Sequence, residues 1–205
     1  MNEYKPLSNL DYFTEWGGRN WKYLLRFAID ELQLNDSLKG ADFLDIGTRY
    51  GKMAVLFSLM GARVTGIDIM EPYLSVAREE AKKWNLSNEA VNFMAYNGDL
   101  DIFPDESFDI VLTKSVLVLL PNLENFLRKI SMKLRSNGRV VFLENGRGNY
   151  FIHAMRTIRH RKWDYRYVNY FTDKEVKLIQ SIFQIDTIRR TIFPPVYLFL
   201  GQKRL

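Results

Sequence analysis

The apolar positions of the chain follow two spacings that alternate along it. Five segments place apolar side chains three or four residues apart, as in amphipathic helices: residues 20–34, 52–60, 73–84, 123–134 and 172–183. Short apolar runs lie between them and predict β-strands at residues 42–46, 62–69, 91–96, 108–113 and 139–144. Strands and helices in alternation are typical of a parallel sheet that carries helices on both faces.

The C-terminal part of the chain departs from this alternation. Thr172, with Glu175 three residues later, forms a capping box that opens the last predicted helix. Two strand-like runs, residues 184–192 and 197–201, flank a pair of prolines and lie close enough to pair as an antiparallel hairpin. The predicted fold is therefore α/β: a doubly wound, mostly parallel seven-stranded sheet with a C-terminal antiparallel hairpin.

Length and composition indicate a single domain, residues 1–205, and limit its chemistry. The chain is 47% hydrophobic and 26% charged, as in an ordinary globular protein. It contains no cysteine, which excludes disulfides, thiolate metal ligands and cysteine nucleophiles. No cluster with metal-ligand spacing is visible, so no metal site is predicted. Neither a signal peptide nor a membrane-spanning apolar run is visible, so a cytoplasmic protein is expected.

The net charge of +5 comes from one segment, which we call the basic-aromatic segment (residues 146–171). It has a single acid, Asp164, against six basic residues up to residue 166: Arg147, Arg156, Arg159, Arg161, Lys162 and Arg166. Aromatic residues lie among them: Tyr150, Phe151, Trp163, Tyr165, Tyr167 and Tyr170. This composition suits a lid over a planar or sugar-like group bearing phosphate or carboxylate. It also suits stacking on nucleic acid bases, or a helical lid packed by its own aromatics.

The most specific motif follows the first predicted strand. Residues 43–51 read FLDIGTRYG, so that an apolar strand ends at Gly47 and a helix opens near Gly51. Open α/β sheets bind ligands at the carboxyl ends of their strands, and small residues in such a turn allow the backbone to approach a nucleoside. Asp68 ends the second strand twenty-one residues after Gly47, near the separation at which an acid accepts hydrogen bonds from both ribose hydroxyls.

Two further segments complete the set of motifs at the strand ends. They are Asn97-Gly98-Asp99 after the third strand and residues 107–111 leading into the fourth. With these motifs in this order, residues 41–145 resemble the core of the class I S-adenosylmethionine (SAM)-dependent methyltransferases, whose first motif usually reads acid-x-Gly-x-Gly-x-Gly. The resemblance implies SAM as cofactor and S-adenosylhomocysteine (SAH) as product. It implies a cofactor site formed by Asp45, Gly47, Thr48, Arg49, Gly51, Asp68, Ile69, Asn97, Gly98, Asp99, Leu100, Lys114 and Ser115.

The resemblance also implies roles and boundaries. Asp68 would be the ribose-binding acid, Ile69 would pack on the adenine, residues 97–100 would line the adenine edge, and residues 114–116 would lie under the methionine moiety. The domain then divides into an N-terminal helical cap (residues 1–38), the cofactor-binding core (41–145), the basic-aromatic segment as a substrate lid (146–171), and a helix with the edge hairpin (172–205).

Arg49 departs from the family pattern, because it stands where the middle glycine of the first motif is expected. Its side chain either turns outward, helps to bind the methionine carboxylate, or weakens cofactor binding. Retained binding is favoured, because the other motifs are intact. A nicotinamide-binding Rossmann domain is disfavoured, since its Gly-x-Gly-x-x-Gly motif would need glycine at Arg49 and Lys52.

Methyl transfer from a sulfonium depends mainly on positioning and desolvation, and a base is needed only where the acceptor must lose a proton. The candidate catalytic residues are His153 and His160 in the basic-aromatic segment, Glu144 at the end of the fifth strand, and Lys114 at the end of the fourth. Lys114 would hold an anionic group there. For each of the four, a solvated or hydrogen-bonded structural role is the alternative.

Two methyltransferase subclasses are excluded by motif. The Asp/Asn-Pro-Pro-Tyr motif of amino methyltransferases is absent after the fourth strand, and methylation of RNA cytosine at C5 lacks its cysteine. The predicted function is methyl transfer to an oxygen or nitrogen of a small metabolite that bears phosphate or carboxylate. Two alternatives stay open: an RNA methyltransferase, suggested by the basic-aromatic segment, and a non-catalytic binding module, suggested by Arg49.

Overall fold

Seven strands form one sheet in the computed structural model, which describes residues 10–14, 18–34, 37–148 and 168–204. They are β1 (Asp42–Ile46), β2 (Arg63–Asp68), β3 (Val91–Ala95), β4 (Phe108–Lys114), β5 (Leu134–Asn145), β6 (Phe183–Arg190) and β7 (Val196–Lys203). Their order across the sheet is β3-β2-β1-β4-β5-β7-β6. Strands β1 to β5 pair in parallel, and β7 pairs antiparallel with β5 and β6. The predicted fold and its hairpin are confirmed.

Helices cover both faces of the sheet: α1 (Leu10–Thr14), α2 (Gly18–Leu34), α3 (Lys52–Leu59), α4 (Glu71–Lys83), α5 (Leu123–Lys133) and α6 (Asp173–Ile182). Helices α1 to α4 share a core with one face, and α5 and α6 share a core with the other. The face predicted for α2 is its buried face: Trp21, Leu24, Leu25, Ala28, Ile29 and Leu32. None of the helices in the described ranges is long and apolar enough to cross a membrane.

Predicted and observed boundaries differ most in β5. The sequence predicts a turn at Asn137-Gly138 and a strand from residue 139, whereas the extended segment begins at Leu134. Strand β4 pairs with β5 on both sides of this point, through Leu134 and Arg139, so the predicted turn is an irregularity within the strand. Asn137 has the left-handed φ of 66° that this irregularity needs, and asparagine adopts that conformation more readily than most residues.

Candidate functional site

The loop after β1 (residues 47–51) requires glycine at both ends. Gly47 and Gly51 have φ of 72° and 75°, in the left-handed region. A methyl group on Gly51 would lie 2.8 Å from Cζ of Phe93, so glycine lets the start of α3 pack against β3. A methyl group on Gly47 would overlap the side chain of Val116 in the loop after β4. Close packing against two neighbouring elements therefore fixes this loop.

The Asp68 carboxylate lies beside this loop at the end of β2, oriented by two backbone donors. The Arg49 N–H donates to Oδ2 at 3.0 Å and the Met70 N–H donates to Oδ1 at 2.9 Å. A carboxylate has about four acceptor positions, so each oxygen keeps room for a further donor. Asp68 can therefore accept two ribose hydroxyls without giving up the bonds that orient it.

Arg49 keeps the left-handed backbone of the glycine that it replaces, with φ of 51°. Its guanidinium carbon lies 4.6 Å from the centre of the Tyr50 ring and 5.5 Å from that of Tyr73, in the first turn of α4. Such cation–π contacts contribute about 0.5–1 kcal/mol each at exposed sites. They offset part of the cost of about 1–2 kcal/mol of a left-handed non-glycine backbone. The side chain is turned towards α4, and the backbone N–H reaches Asp68.

Asp45 is buried beneath the loop with an oxygen that lacks a partner. Asp45 is 2% exposed, and its Oδ2 has no hydrogen-bond partner within 3.5 Å among the described residues. Burial raises the pKa of Asp45 to about 6, against the opposing effects of the nearby Thr48 hydroxyl and of the Lys114 charge. A buried polar atom without a partner costs about 1–3 kcal/mol. This atom fits a ligand that brings a donor, and the ammonium group of the methionine part of SAM is such a donor.

Exposed apolar surface lies next to Asp68. Ile69 is 63% exposed and Met70 is 45% exposed, although both directly follow a buried strand end. In the segment after β3, Gly98 has φ of 92°, and a methyl group there would meet nothing within 4 Å. Strands β2 and β3 are neighbours, so Ile69 and Gly98 lie at the same edge of the sheet. An apolar surface beside open space suits a flat base such as adenine.

The rest of the segment after β3 is held from the side of α5. The Asn97 Oδ1 accepts from the Asp99 N–H at 3.0 Å, and Lys129 donates to the Asp99 carboxylate at 2.5 Å. That bond with Lys129 lowers the pKa of Asp99. Leu100 is fully buried, so only its backbone can face a ligand. Asn97 and Gly98 are the exposed residues of the segment.

The last residue of β4 brings a cation to the same edge, and the loop that follows is fixed by hydrogen bonds. Lys114 is half-buried, and its Nζ lies 5.5 Å from the centre of the Trp21 ring of α2. Ser115 has φ of 59°; its N–H donates to the Leu143 carbonyl at 2.8 Å, and its hydroxyl accepts from Asn145 at 2.8 Å. These bonds fix the loop against β5. Lys114 is thus positioned between α2 and the strand ends.

Glu144 is buried and holds this loop from within. It is 0% exposed, and its Oε1 accepts from the Thr113 hydroxyl at 2.9 Å and from the N–H groups of Val116 and Leu117 at 3.2 Å each. Burial raises its pKa to about 7. Its Oε2 has no hydrogen-bond partner among the described residues. This buried position indicates that Glu144 holds the loop after β4, and it argues against the predicted direct contact with an acceptor.

His153 and His160 lie outside the described residues, as does the basic-aromatic segment between residues 149 and 167. Its two ends are described and meet beside the site. Gly146 forms a parallel bridge with Phe171, and the Asn169 N–H donates to the Val118 carbonyl at 2.6 Å. The segment therefore leaves and rejoins the fold at the end of β5, next to the loop after β4.

Three residues contact the predicted site although no motif marks them. Trp21 faces Lys114, Tyr73 lies under Arg49, and Asn145 holds Ser115. Trp21 is recognisable in the sequence only as part of the apolar face of α2. The other two reach the site through tertiary packing, which leaves no local signal.

Comparisons with known proteins identify a methyltransferase domain in this chain. The methyltransferase domain family matches residues 44–142. A demethylmenaquinone methyltransferase of Tropheryma whipplei is 34% identical over 143 residues, which cover 69% of this chain and 54% of that protein. A ubiquinone biosynthesis O-methyltransferase of Coxiella burnetii is 24% identical over 106 residues, 52% of this chain and 44% of that protein.

The solved structures extend the match to most of the fold. Magnesium protoporphyrin IX methyltransferase (ChlM) from Synechocystis PCC 6803 with bound SAH superposes with a TM-score of 0.68 at 17% identity, over 89% of this chain and 85% of that chain. The chain spans about half the length of the two relatives matched by sequence. The strand order and the family match over residues 44–142 together show that the core of the chain is a SAM-dependent methyltransferase domain of the class I, Rossmann-like type.

Proposed function

We propose that the protein transfers a methyl group from SAM to an oxygen or nitrogen atom of a small molecule. The observation that carries the proposal is the Asp68 carboxylate, oriented by two backbone donors beside the exposed Ile69. Adenosine combines a ribose diol with a flat base, and this arrangement complements both parts. Acceptance of the methyl group by oxygen is supported by the relative from C. burnetii, which is named as an O-methyltransferase.

Each residue of the site has a distinct task in this proposal. Bound SAM would supply a methyl group already activated on a sulfonium, so the chain mainly has to orient the reactants and exclude water. Asp68 would hold the ribose, and the Oδ2 of Asp45 would accept from the methionine ammonium. Glu144 would keep the loop after β4 in place through Thr113 and two backbone N–H groups.

We further propose that the acceptor bears a phosphate or carboxylate group. Lys114 lies at the strand ends, and Arg147, in the basic-aromatic segment just after β5, is exposed. The sequence of that segment contains six basic residues, a composition that favours an anionic acceptor. RNA as the acceptor, and a cytoplasmic location, remain predictions from the sequence.

Calorimetric titration with SAM and SAH tests the cofactor site. Asp68→Asn should weaken SAM binding at least about tenfold, since a hydrogen bond to a charged group contributes about 1.5–3 kcal/mol. Asp186→Asn is the matched control, because Asp186 is exposed on β6, far across the sheet, and its loss should leave binding unchanged. Absence of SAM binding to the wild type at millimolar concentration would favour the non-catalytic module.

Release of SAH with paired acceptors, identical except for one carboxylate, tests the anionic group. Lys114→Met should raise KM for the carboxylated acceptor and leave KM for the neutral one unchanged. Lys177→Met, an exposed lysine on α6, is the control. Equal use of both acceptors by the wild type would contradict the anionic acceptor, and steeply salt-dependent retention on RNA would support the RNA alternative.

A further inference from the structure

The turn between β6 and β7 projects two large apolar side chains into solvent. We call residues 191–195 the hairpin tip. Ile192 is 94% exposed and Phe193 is 62% exposed, and Ile192 is the most exposed large apolar residue in the described part of the chain. Single exposed apolar residues are common on protein surfaces, but an adjacent pair at the end of a hairpin forms a projecting apolar surface. Such a surface suggests an apolar partner.

Hydrogen bonds hold the hairpin tip in one shape. The Thr191 hydroxyl donates to the Pro194 carbonyl at 2.8 Å and accepts from the Val196 N–H at 3.0 Å. The Asn20 side chain of α2 donates to the carbonyls of Phe193 and Pro194 at 2.9 and 3.1 Å. With its backbone bound to α2 in this way, the tip keeps its apolar side chains directed outward.

The hairpin tip lies on the rim of the proposed acceptor site. The Pro195 carbonyl accepts from the Gly146 N–H at 3.0 Å, and Gly146 directly follows the end of β5. Asn20, which binds the tip, precedes Trp21, whose ring faces Lys114. The tip is thus joined to both elements that flank Lys114.

Exposed arginines lie on two elements next to the hairpin tip, β6 and α2. Arg189 and Arg190 precede it and are exposed, and residues 187–204 contain no acidic residue. Arg19 and Tyr23 are exposed on α2 beside Asn20. A projecting apolar pair with arginines at its base matches a bilayer surface, where apolar side chains enter the acyl boundary and arginines meet lipid phosphates. Nucleic acid would satisfy the arginines and leave Ile192 without an apolar environment.

We propose that the hairpin tip docks this protein on the surface of an anionic lipid bilayer. Docking in this way turns the rim of the acceptor site towards the membrane. The consequence for the acceptor rests on the proposed function: the methyl group would go to an amphipathic molecule, with a polar head that reaches Lys114 and an apolar part that stays in the lipid.

Vesicle flotation tests the docking surface on the full chain. Wild type should bind vesicles of phosphatidylcholine with phosphatidylglycerol and bind phosphatidylcholine alone more weakly, because the arginines need anionic lipid. The double variant Ile192→Ser with Phe193→Ser should bind at least about tenfold more weakly. Val76→Ser with Met132→Ser, two exposed apolar residues on α4 and α5, should bind as the wild type does.

Several outcomes would overturn the inference. They are absence of wild-type binding to anionic vesicles, equal binding to both vesicle types, and equal effects of the two double variants. Retention on polyuridine RNA without vesicle binding would also overturn it. Calorimetric titration of the hairpin-tip variant with SAM should match the wild type, which shows that it is folded. If the wild type does not bind SAM, the proposed function is refuted. The vesicle experiment still tests the docking surface on its own in that case.

Discussion

Replacing Glu144 with glutamine tests the buried carboxyl that holds the loop after β4. Glutamine keeps the side-chain shape and a carbonyl oxygen that can accept from Thr113, Val116 and Leu117. It cannot ionise. The variant therefore removes the charge that the wild type acquires as the pH rises, and it preserves the hydrogen bonds to the loop.

The size of the effect follows from the pKa. Burial raises the pKa of Glu144 from its ordinary value of 4.5 to about 7 in the folded protein. Between these values the folded protein keeps a proton that the unfolded chain has released, so the free energy of unfolding of the wild type falls as the pH rises. At about 1.4 kcal/mol per pKa unit, the loss is roughly 3 kcal/mol by the time the pH exceeds 7.

Urea denaturation of both proteins from about pH 5 to about pH 8 measures this difference. The two free energies of unfolding should be similar near pH 5, and Glu144→Gln should be the more stable protein by roughly 3 kcal/mol near pH 8. A difference that stays constant across this range would refute the reasoning, because Glu144 would then be equally ionised in the folded and unfolded chains.

Glu175→Gln provides a control with the opposite sign. Burial acts to raise the pKa of Glu175, but hydrogen bonds from the hydroxyl and N–H of Thr172 outweigh it and lower the pKa. The ionised form of Glu175 is therefore the stabilising one. Its replacement should destabilise the protein above its unfolded pKa, and this loss should shrink as the pH falls towards the acid range.

Three positions with a left-handed backbone, Arg49, Gly51 and Gly98, give further predictions. Arg49→Gly should be more stable than Arg49→Ala by about 1 kcal/mol in urea denaturation, because both lose the cation–π contacts and only glycine relieves the left-handed backbone. Both should bind SAM as the wild type does in calorimetry, since the backbone N–H to Asp68 remains. Gly51→Ala should lose roughly 2–5 kcal/mol, because its methyl group meets Phe93 as well as the left-handed backbone. Gly98→Ala, with open space around it, should lose only about 1–2 kcal/mol, and equal losses at both glycines would contradict this.

The fold is largely readable from the sequence because each element carries its own local signal. Strand β1 has the predicted bounds, and the capping box at Thr172 opens α6 as expected. The start of β5 lacks such a signal, since Leu134 becomes part of the strand only by pairing with Phe108 across an irregularity. Helix α1 has five residues, too few for an apolar spacing to emerge.

Side-chain direction limits what the sequence can say about the site. Successive residues at a strand end point to opposite faces, so an acid such as Glu144 can meet an acceptor or turn onto the neighbouring loop. The amino-acid sequence around Glu144 is the same in both cases. The structure shows the second arrangement, with Oε1 bound to Thr113 and to the backbone after β4. The position of Asp68 at the end of β2 was predictable, because that position depends on the strand pattern alone.

The three glycine positions of the first motif illustrate why a single departure from a family pattern has a limited meaning. Gly47 and Gly51 are required for space, since a methyl group on either would meet a neighbouring side chain. The middle position needs only a left-handed backbone and an N–H for Asp68, and Arg49 supplies both. Its strain of about 1–2 kcal/mol is offset in part by the two tyrosine rings. An arginine at this position is therefore compatible with an intact loop after β1, whereas an alanine at Gly47 or Gly51 would disturb its packing.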